Sequence, residues 1–269
     1  MKKLILVAGV WMMAIASFAA GNAVWNPQLA SQLAFTDKDT AGALAYLDTV
    51  KLDTDAIKID VINFTIVIKA PNSKINTIAE ATAEADRLIA KAGGLTGDAG
   101  VSATDSRNET IAKILYYAQK NQLLLDFNAT LPNGIADKIL IAYSYNAAGG
   151  YGKDPAMTRK AIAIFIDLKR YDVAFVMAAL IGDYVNCLEY SKQALLSQDL
   201  SVTEVTNILT RLWEIDFSGT TITPQMQYDM LCAVNGKYSK MLVTDKASWE
   251  PIMTRIQNGI AAQKLQLKK

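Results

Sequence analysis

From Asp154 to the C-terminus, apolar residues recur at helical spacing in segments of about 11–20 residues joined by very short connections. The spacing predicts six helices. Asp154-Pro155 supplies an N-cap and a first-turn proline for a helix running through MTRKAIAIFIDL. Tyr171 to Ile181 forms a second. Gly182-Asp183 punctuates, and a third runs from about Tyr184 to Ser197. Ser201 caps a fourth, with Glu204 three residues on as a capping box. Thr223-Pro224 opens a fifth through MQYDMLCAV. Asp245 precedes the last, which either starts near Pro251 or kinks there.

The N-terminal half is less regular. Asp37–Val50 and Ser73–Ala92 read as helices, the second with Glu80, Glu84 and Asp86 on a solvated face. Between them DAIKIDVINFTIVIKAP is rich in β-branched residues, and Ile57-Lys58-Ile59-Asp60-Val61 alternates as a strand would. A helix would instead align Ile57, Val61, Phe64 and Ile68, with more apolar residues opposite. Strands need partners and the chain offers few, so residues 57–68 are left between helix and strand, with a buried helix favoured. Residues 93–108, GGLTGDAGVSATDSRN, are small, polar and Gly-rich, and predict a linker. NAAGGYGK at 146–153 predicts a mobile surface loop. The expected organisation is 1–23 leader, 24–92 N-terminal helical region, 93–108 linker and 109–269 C-terminal helical domain.

One pattern recurs. GDYVNCL at 182–188 is echoed by KRYDVAF at 169–175 and GKYSKML at 236–242, placing Tyr171, Tyr184 and Tyr238 alike. ALAYLDTVKLDTD at 43–55 partly echoes CLEYSKQALLSQD at 187–199. A turn residue ends one helix, an aromatic packs across the hairpin, and a small residue admits the next helix. Such hairpins bury their remaining faces by stacking. GDYVNCLEYSKQAL resembles the second half of a tetratricopeptide repeat: Gly182 and Tyr184 match its turn glycine and aromatic, and Ala194 matches a small position. Cys187 stands where that family prefers alanine, and Ser191 occupies an aromatic-favoured place. Asp199 replaces the closing proline, and Ala174 and Phe175 replace the first-helix leucine and glycine. The spacings of 13 and 54 residues depart from a regular repeat of 34. The resemblance covers about one hairpin well. It implies an all-α fold of stacked antiparallel helical hairpins, as a divergent tetratricopeptide-like solenoid or an irregular helical bundle.

The N-terminus changes where such a protein is expected to work. Lys2 and Lys3, an apolar or small-residue run from Leu4 to Ala16 and small residues at Ala19, Ala20 and Ala23 read as a secretory signal peptide, cleaved after Ala19 or Ala23. The run is short for a membrane span of roughly 20 residues. The expectation is export to a periplasm, cell envelope or exterior, with no stable membrane anchor after cleavage. The short Lys-Lys start looks bacterial.

Charge and composition then narrow the chemistry. Lys and Arg number 27 against 26 Asp and Glu, so the electrostatic footprint of a nucleic-acid binder is missing. The chain has no histidine, which excludes Ser-His-Asp and Cys-His nucleophilic sites and His-ligated zinc or haem. Cys187 and Cys232 are the two cysteines; in an oxidising compartment they either bridge or stay as separate buried thiols. GGYGK at 149–153 fails as a phosphate loop: Ala147 stands where its first glycine is required, and Asp154 follows Lys153. Asp98 and Asp105 lack the alternating acidic positions of a calcium loop. Glu214 and Asp216, near Trp213 and Phe217, are the carboxylates closest to an acid/base pair, but residues two apart do not face each other on a helix. Asn63-Phe64-Thr65, Asn108-Glu109-Thr110 and Asn128-Ala129-Thr130 are sequons of use only in a eukaryotic secretory route.

No coherent catalytic set and no cofactor or metal motif emerges. The sequence points to an exported helical scaffold for other proteins, with Tyr143, Tyr145, Tyr151, Tyr171, Tyr184, Tyr190 and Tyr238 as candidates for its partner or ligand surface. A carbohydrate-binding or carboxylate-based glycan-acting protein, and a self-associating structural subunit, are the competing classes.

Overall fold

The computed structural model describes residues 23–97, 101–197 and 200–268. Residues 1–22 of the expected 1–23 leader, Asp98 and Asp199 lie outside them. Among the described residues the fold is all-α, with thirteen α-helices and no named strand. The chain divides into two compact units, at Leu140/Ile141.

In the first unit, α1 (Pro27–Ser31) runs into a π turn, Gln32–Thr36, and is followed by α2 (Thr40–Leu47), α3 (Asp55–Lys69), α4 (Ile78–Lys91), α5 (Ala103–Tyr117) and α6 (Asn121–Thr130). The segment left open in the sequence is helix α3. Thr54 caps it by accepting from the Ile57 N–H. Its apolar residues are buried on more than one side. Val61, Ile57, Phe64 and Ile68 join a cluster with Ala30, Tyr46 and Leu47, while α3 also packs on α4 and α5. A helix sandwiched between neighbours carries no clean apolar stripe, which is why its periodicity is blurred. In α4 the fully buried Ala81 and Ala85 lie one turn apart, and α4 packs along α5. Short side chains permit such close approach.

The N-terminal edge is fastened as well. Ala23 pairs with the Val50 segment through Ala23 N–H to Thr49 C=O (3.0 Å) and Lys51 N–H to Ala23 C=O (2.9 Å). The Tyr46 hydroxyl accepts from the Asn26 N–H and donates to the Val24 carbonyl.

The expected linker at 93–108 is not one. Ser102 caps α5, so residues 103–108 are already helical. The helices on either side, α4 and α5, pack directly on each other. The reason is a buried carboxylate. Asp55, 2% exposed, accepts from the Thr96 N–H (2.6 Å), the Gly97 N–H (2.7 Å) and the Thr96 hydroxyl, and pairs with Lys58. Lys58 in turn donates to the Gly94 carbonyl. Residues 93–97 form a loop tied to α3, and the division of the chain falls later, at Leu140/Ile141.

Helix α7 (Lys138–Ala148) spans the division. The second unit continues with α8 (Pro155–Asp167), α9 (Tyr171–Leu180), α10 (Tyr184–Ser197), α11 (Val202–Glu214), α12 (Pro224–Tyr238) and α13 (Lys246–Gln266). The caps read from the sequence hold: Asp154 on Ala156 and Met157, the Ser201–Glu204 box, Thr223 on Met226. Asp245 caps α13 at Lys246, and the helix continues through Pro251.

Neighbouring helices pack pairwise, α8 on α9, α9 on α10 and α12 on α13. Helices one further apart also meet: α10 with α12 and α11 with α13 here, α3 with α5 and α4 with α6 in the first unit. These second-neighbour contacts are what stacking of hairpins means physically.

The turns recur more faithfully than the sequence. Backbone φ is +59° at Gln119, +55° at Lys169 and +71° at Gly182. Each of these residues follows a helix end, and one further residue precedes the next helix. In each, two backbone bonds close the turn, as in Lys169 N–H to Ile166 C=O and Arg170 N–H to Phe165 C=O. One turn geometry thus serves three hairpins, and two of them place a non-glycine residue in the left-handed region.

Candidate functional site

The seven tyrosines do not assemble into one surface. Tyr238 is 1% exposed, donates to the Leu195 carbonyl (2.7 Å) and stacks on Trp249 at 5.1 Å. It is a core residue. The echo that aligned it with Tyr184 fails because Tyr184 opens a helix whereas Tyr238 closes one, with Gly236 inside α12. Tyr143, Tyr145, Tyr171, Tyr184 and Tyr190 are half-buried against the core. Tyr143 meets Phe165 edge-on at 5.2 Å and Tyr184 meets Phe217 at 5.9 Å. Lys160 lies over the Tyr145 ring. Tyr143, Tyr145 and Tyr184 thus have a neighbour on their rings, and all five pack against the core.

Tyr151 differs, at 68% exposed. Its loop is a hydrogen-bonded turn: Tyr151 N–H donates to Asn146 C=O and Asp154 N–H to Gly149 C=O. The next residue, Gly152 (φ +98°), lies so close to Leu180 that a Cβ there would stand 2.9 Å from the Leu180 carbonyl oxygen and 3.0 Å from its Cβ. Leu180 is itself 51% exposed, and Val185 on the first turn of α10 is 46% exposed. The turn therefore holds the residue after exposed Tyr151 against exposed Leu180 at the end of α9.

The two cysteines are free thiols, so the bridge is not formed. Cys187 lies on the fully buried stripe of α10 with Leu188, Ser191, Ala194 and Leu195. Cys232 is half-buried on α12, next to but not part of the stripe Met230, Leu231, Val234 and Tyr238. Burial, with the nearby Asp183 charge, pushes the Cys187 thiol up to about 12. It is a small apolar packing residue, not a nucleophile.

Glu214 and Asp216 take separate roles. Glu214 is exposed at the end of α11. Asp216 accepts from the Ser218 N–H (2.8 Å), and Ser218, through its side chain and backbone, holds the carboxyl below its ordinary range. Asp216 opens onto a cavity of about 450 Å³ between the end of α11, the 215–222 loop and parts of α12 and α13. Trp213 and Phe217 form its aromatic wall, and Ile215, Ile222 and Met230 add apolar surface. Gln227 on α12 and Gln263 on α13 face each other there, Gln263 Nε2 donating to Gln227 Oε1 at 3.0 Å. Sequence reasoning singled out Trp213, Asp216 and Phe217 but not the glutamines, because residues 36 apart carry no local signal.

A second, more polar cleft holds Arg170, Asp172, Glu204 and Arg211. Much of its charge is internally paired: Arg170 grips Asp172 through two hydrogen bonds, and Ser201 holds Glu204 in the cap of α11. Among the described residues there is no cluster of three metal-ligating side chains, and no helix is long and apolar enough to cross a membrane. Compared with protein-family models, with curated proteins and with solved structures, the chain matches none of them.

Proposed function

We propose that this protein is an exported helical-repeat scaffold, divergent from the tetratricopeptide class, that binds another protein of the cell envelope. The observation carrying this reading is the Tyr151–Leu180 pair. A left-handed glycine turn packs Gly152 against Leu180, and both Leu180 and Tyr151, the residue before that glycine, are exposed to solvent. Scattered exposed apolar residues are ordinary, but adjacent ones held by a built turn suit partner contact. Second-neighbour helix stacking supports the same reading, since stacked hairpins offer a partner an extended face. Export rests on the N-terminal pattern. Cleavage after Ala19 suits it better than cleavage after Ala23, because Ala23 pairs with the Val50 segment.

The test is affinity capture from the native cell envelope with the tagged chain and its Tyr151→Ser/Leu180→Ser variant. The reading expects a defined partner retained by the parent and lost by the variant, with both showing the same circular dichroism. Equal retention by both, or no reproducible partner, would count against it.

A further inference from the structure

The cavity beside Trp213 shares no residue with the Tyr151–Leu180 pair and has a chemistry of its own. We infer that it is a binding site for a neutral saccharide. Three observations converge. First, its wall is aromatic and its position is fixed. Phe217 is held by Tyr184. Trp213 is held by Arg255, whose guanidinium lies 4.3 Å from the indole ring and is itself anchored on the Thr210 hydroxyl (3.0 Å). Flat rings of this kind present an apolar face to the C–H face of a pyranose and a polar edge to its hydroxyls.

Second, the polar groups are unspent and mixed. The Gln263–Gln227 amide bond leaves Gln227 Nε2 without an acceptor and Gln263 Oε1 buried without a donor among the described residues. A buried acceptor with no partner costs about 1–3 kcal/mol, and a ligand hydroxyl donates as well as accepts. The Asp216 carboxylate accepts from the Ser218 N–H through Oδ1, and its two acceptor-only oxygens carry more lone pairs than Ser218 can fill, which leaves capacity for a ligand hydroxyl. Vicinal hydroxyls are the ligand groups that match neighbouring carboxamides and a carboxylate.

Third, the charge is wrong for an anion. No Lys or Arg is among the described residues lining the cavity, and its one charged group is the ionised Asp216. A phosphate or carboxylate ligand would meet the Asp216 charge, while Arg255 is engaged on the Trp213 ring and is not part of the lining. The volume of about 450 Å³ lies in the range of small-molecule sites and holds one or two sugar rings.

The experiment is titration of the full chain with cellotriose, maltotriose and chitotriose, followed by the Trp213 indole N–H resonance, assigned with Trp213→Phe. The expected result is a saturable shift with at least one trisaccharide, with affinity at least tenfold weaker in Gln227→Ala and in Asp216→Asn. Asp216→Asn keeps an acceptor for Ser218, and an unchanged thermal midpoint confirms that each variant is folded. No shift up to about 10 mM of any of the three sugars, or binding unaltered in both folded variants, would overturn the assignment. So would displacement of the bound sugar by a trilysine peptide, which would make the site a cation or peptide cleft.

Discussion

The two units solve the same packing problem with different materials. Each contains a glycine-rich segment that the sequence marks as loop, at 93–97 and 149–153. The first is fastened by a side chain: buried Asp55 gathers two backbone N–H groups, a hydroxyl and Lys58. Around it the first unit is laced with Arg87–Glu84, Arg107–Asp86 and Lys91–Asp48 pairs. The second loop is fastened by its own backbone and by the close seat of Gly152 on Leu180. Tyr151 stays 68% exposed. Fastening through a buried carboxylate anchors a partly exposed loop by its N–H groups, whereas fastening through backbone contact leaves the Tyr151 side chain exposed. Composition alone does not distinguish the two, which is why one glycine-rich stretch reads as a linker and the other as a mobile loop.

The comparison is broken most severely at Asp55. Asp55→Ala leaves the Thr96 and Gly97 N–H groups and Lys58 without this acceptor, and is expected to lower the thermal midpoint more than any single substitution in either loop. Limited proteolysis of that variant is expected to cut first between residues 93 and 103. A pH series sharpens the point. Burial works to raise the Asp55 carboxyl, but the Gly97 and Thr96 N–H groups, Lys58 and the Thr96 hydroxyl outweigh it and bring it down to about 2. A carboxyl depressed on folding contributes stability that is fully present above its unfolded value, near pH 4, and is lost as pH falls through about 2. Thermal melts between pH 6 and 2 should therefore fall more steeply for the parent than for Asp55→Asn.

The next effect belongs to the displayed loop. Gly152→Ala adds a Cβ against the Leu180 backbone at φ +98°, and about 2–3 kcal/mol of destabilisation is expected in urea unfolding. Gly182→Ala meets nothing nearer than Tyr184 at 4.0 Å. Its cost is conformational alone, about 1 kcal/mol. The smallest effect has the opposite sign. Gln119 holds the same left-handed place in the first unit at φ +59°, so Gln119→Gly is expected to stabilise by about 0.5 kcal/mol in the same assay. A loss from Gln119→Gly equal to that from Gly182→Ala would refute the equivalence of the two turns.

Much of the second unit is legible in the sequence because its signals are local. Asp154-Pro155, Ser201 with Glu204, and Thr223-Pro224 are caps whose donors and acceptors lie within three residues. The first unit is less legible because its determinants are distant along the chain: Asp55 meets Thr96, Arg107 meets Asp86, and α3 is buried on more than one side. Glu80, read as part of a solvated face, also closes the α4 capping box. The turn at Gln119 has no glycine to announce it. Of the candidate surface, Tyr151 is visible in the sequence, but Leu180 is not: an apolar helix residue reveals its exposure only once the turn beside it is placed.

The most direct measurement is site-resolved photo-cross-linking in the native cells, with the envelope that the proposal names as the fraction analysed. A benzophenone amino acid would be placed at Tyr151 and at Leu180, and, as controls in the first unit, at the exposed positions Lys74 and Asp126. The account predicts one adduct of defined mass from positions 151 and 180 and none from 74 and 126. Adducts of equal yield at all four positions, or none at 151 and 180, would contradict it.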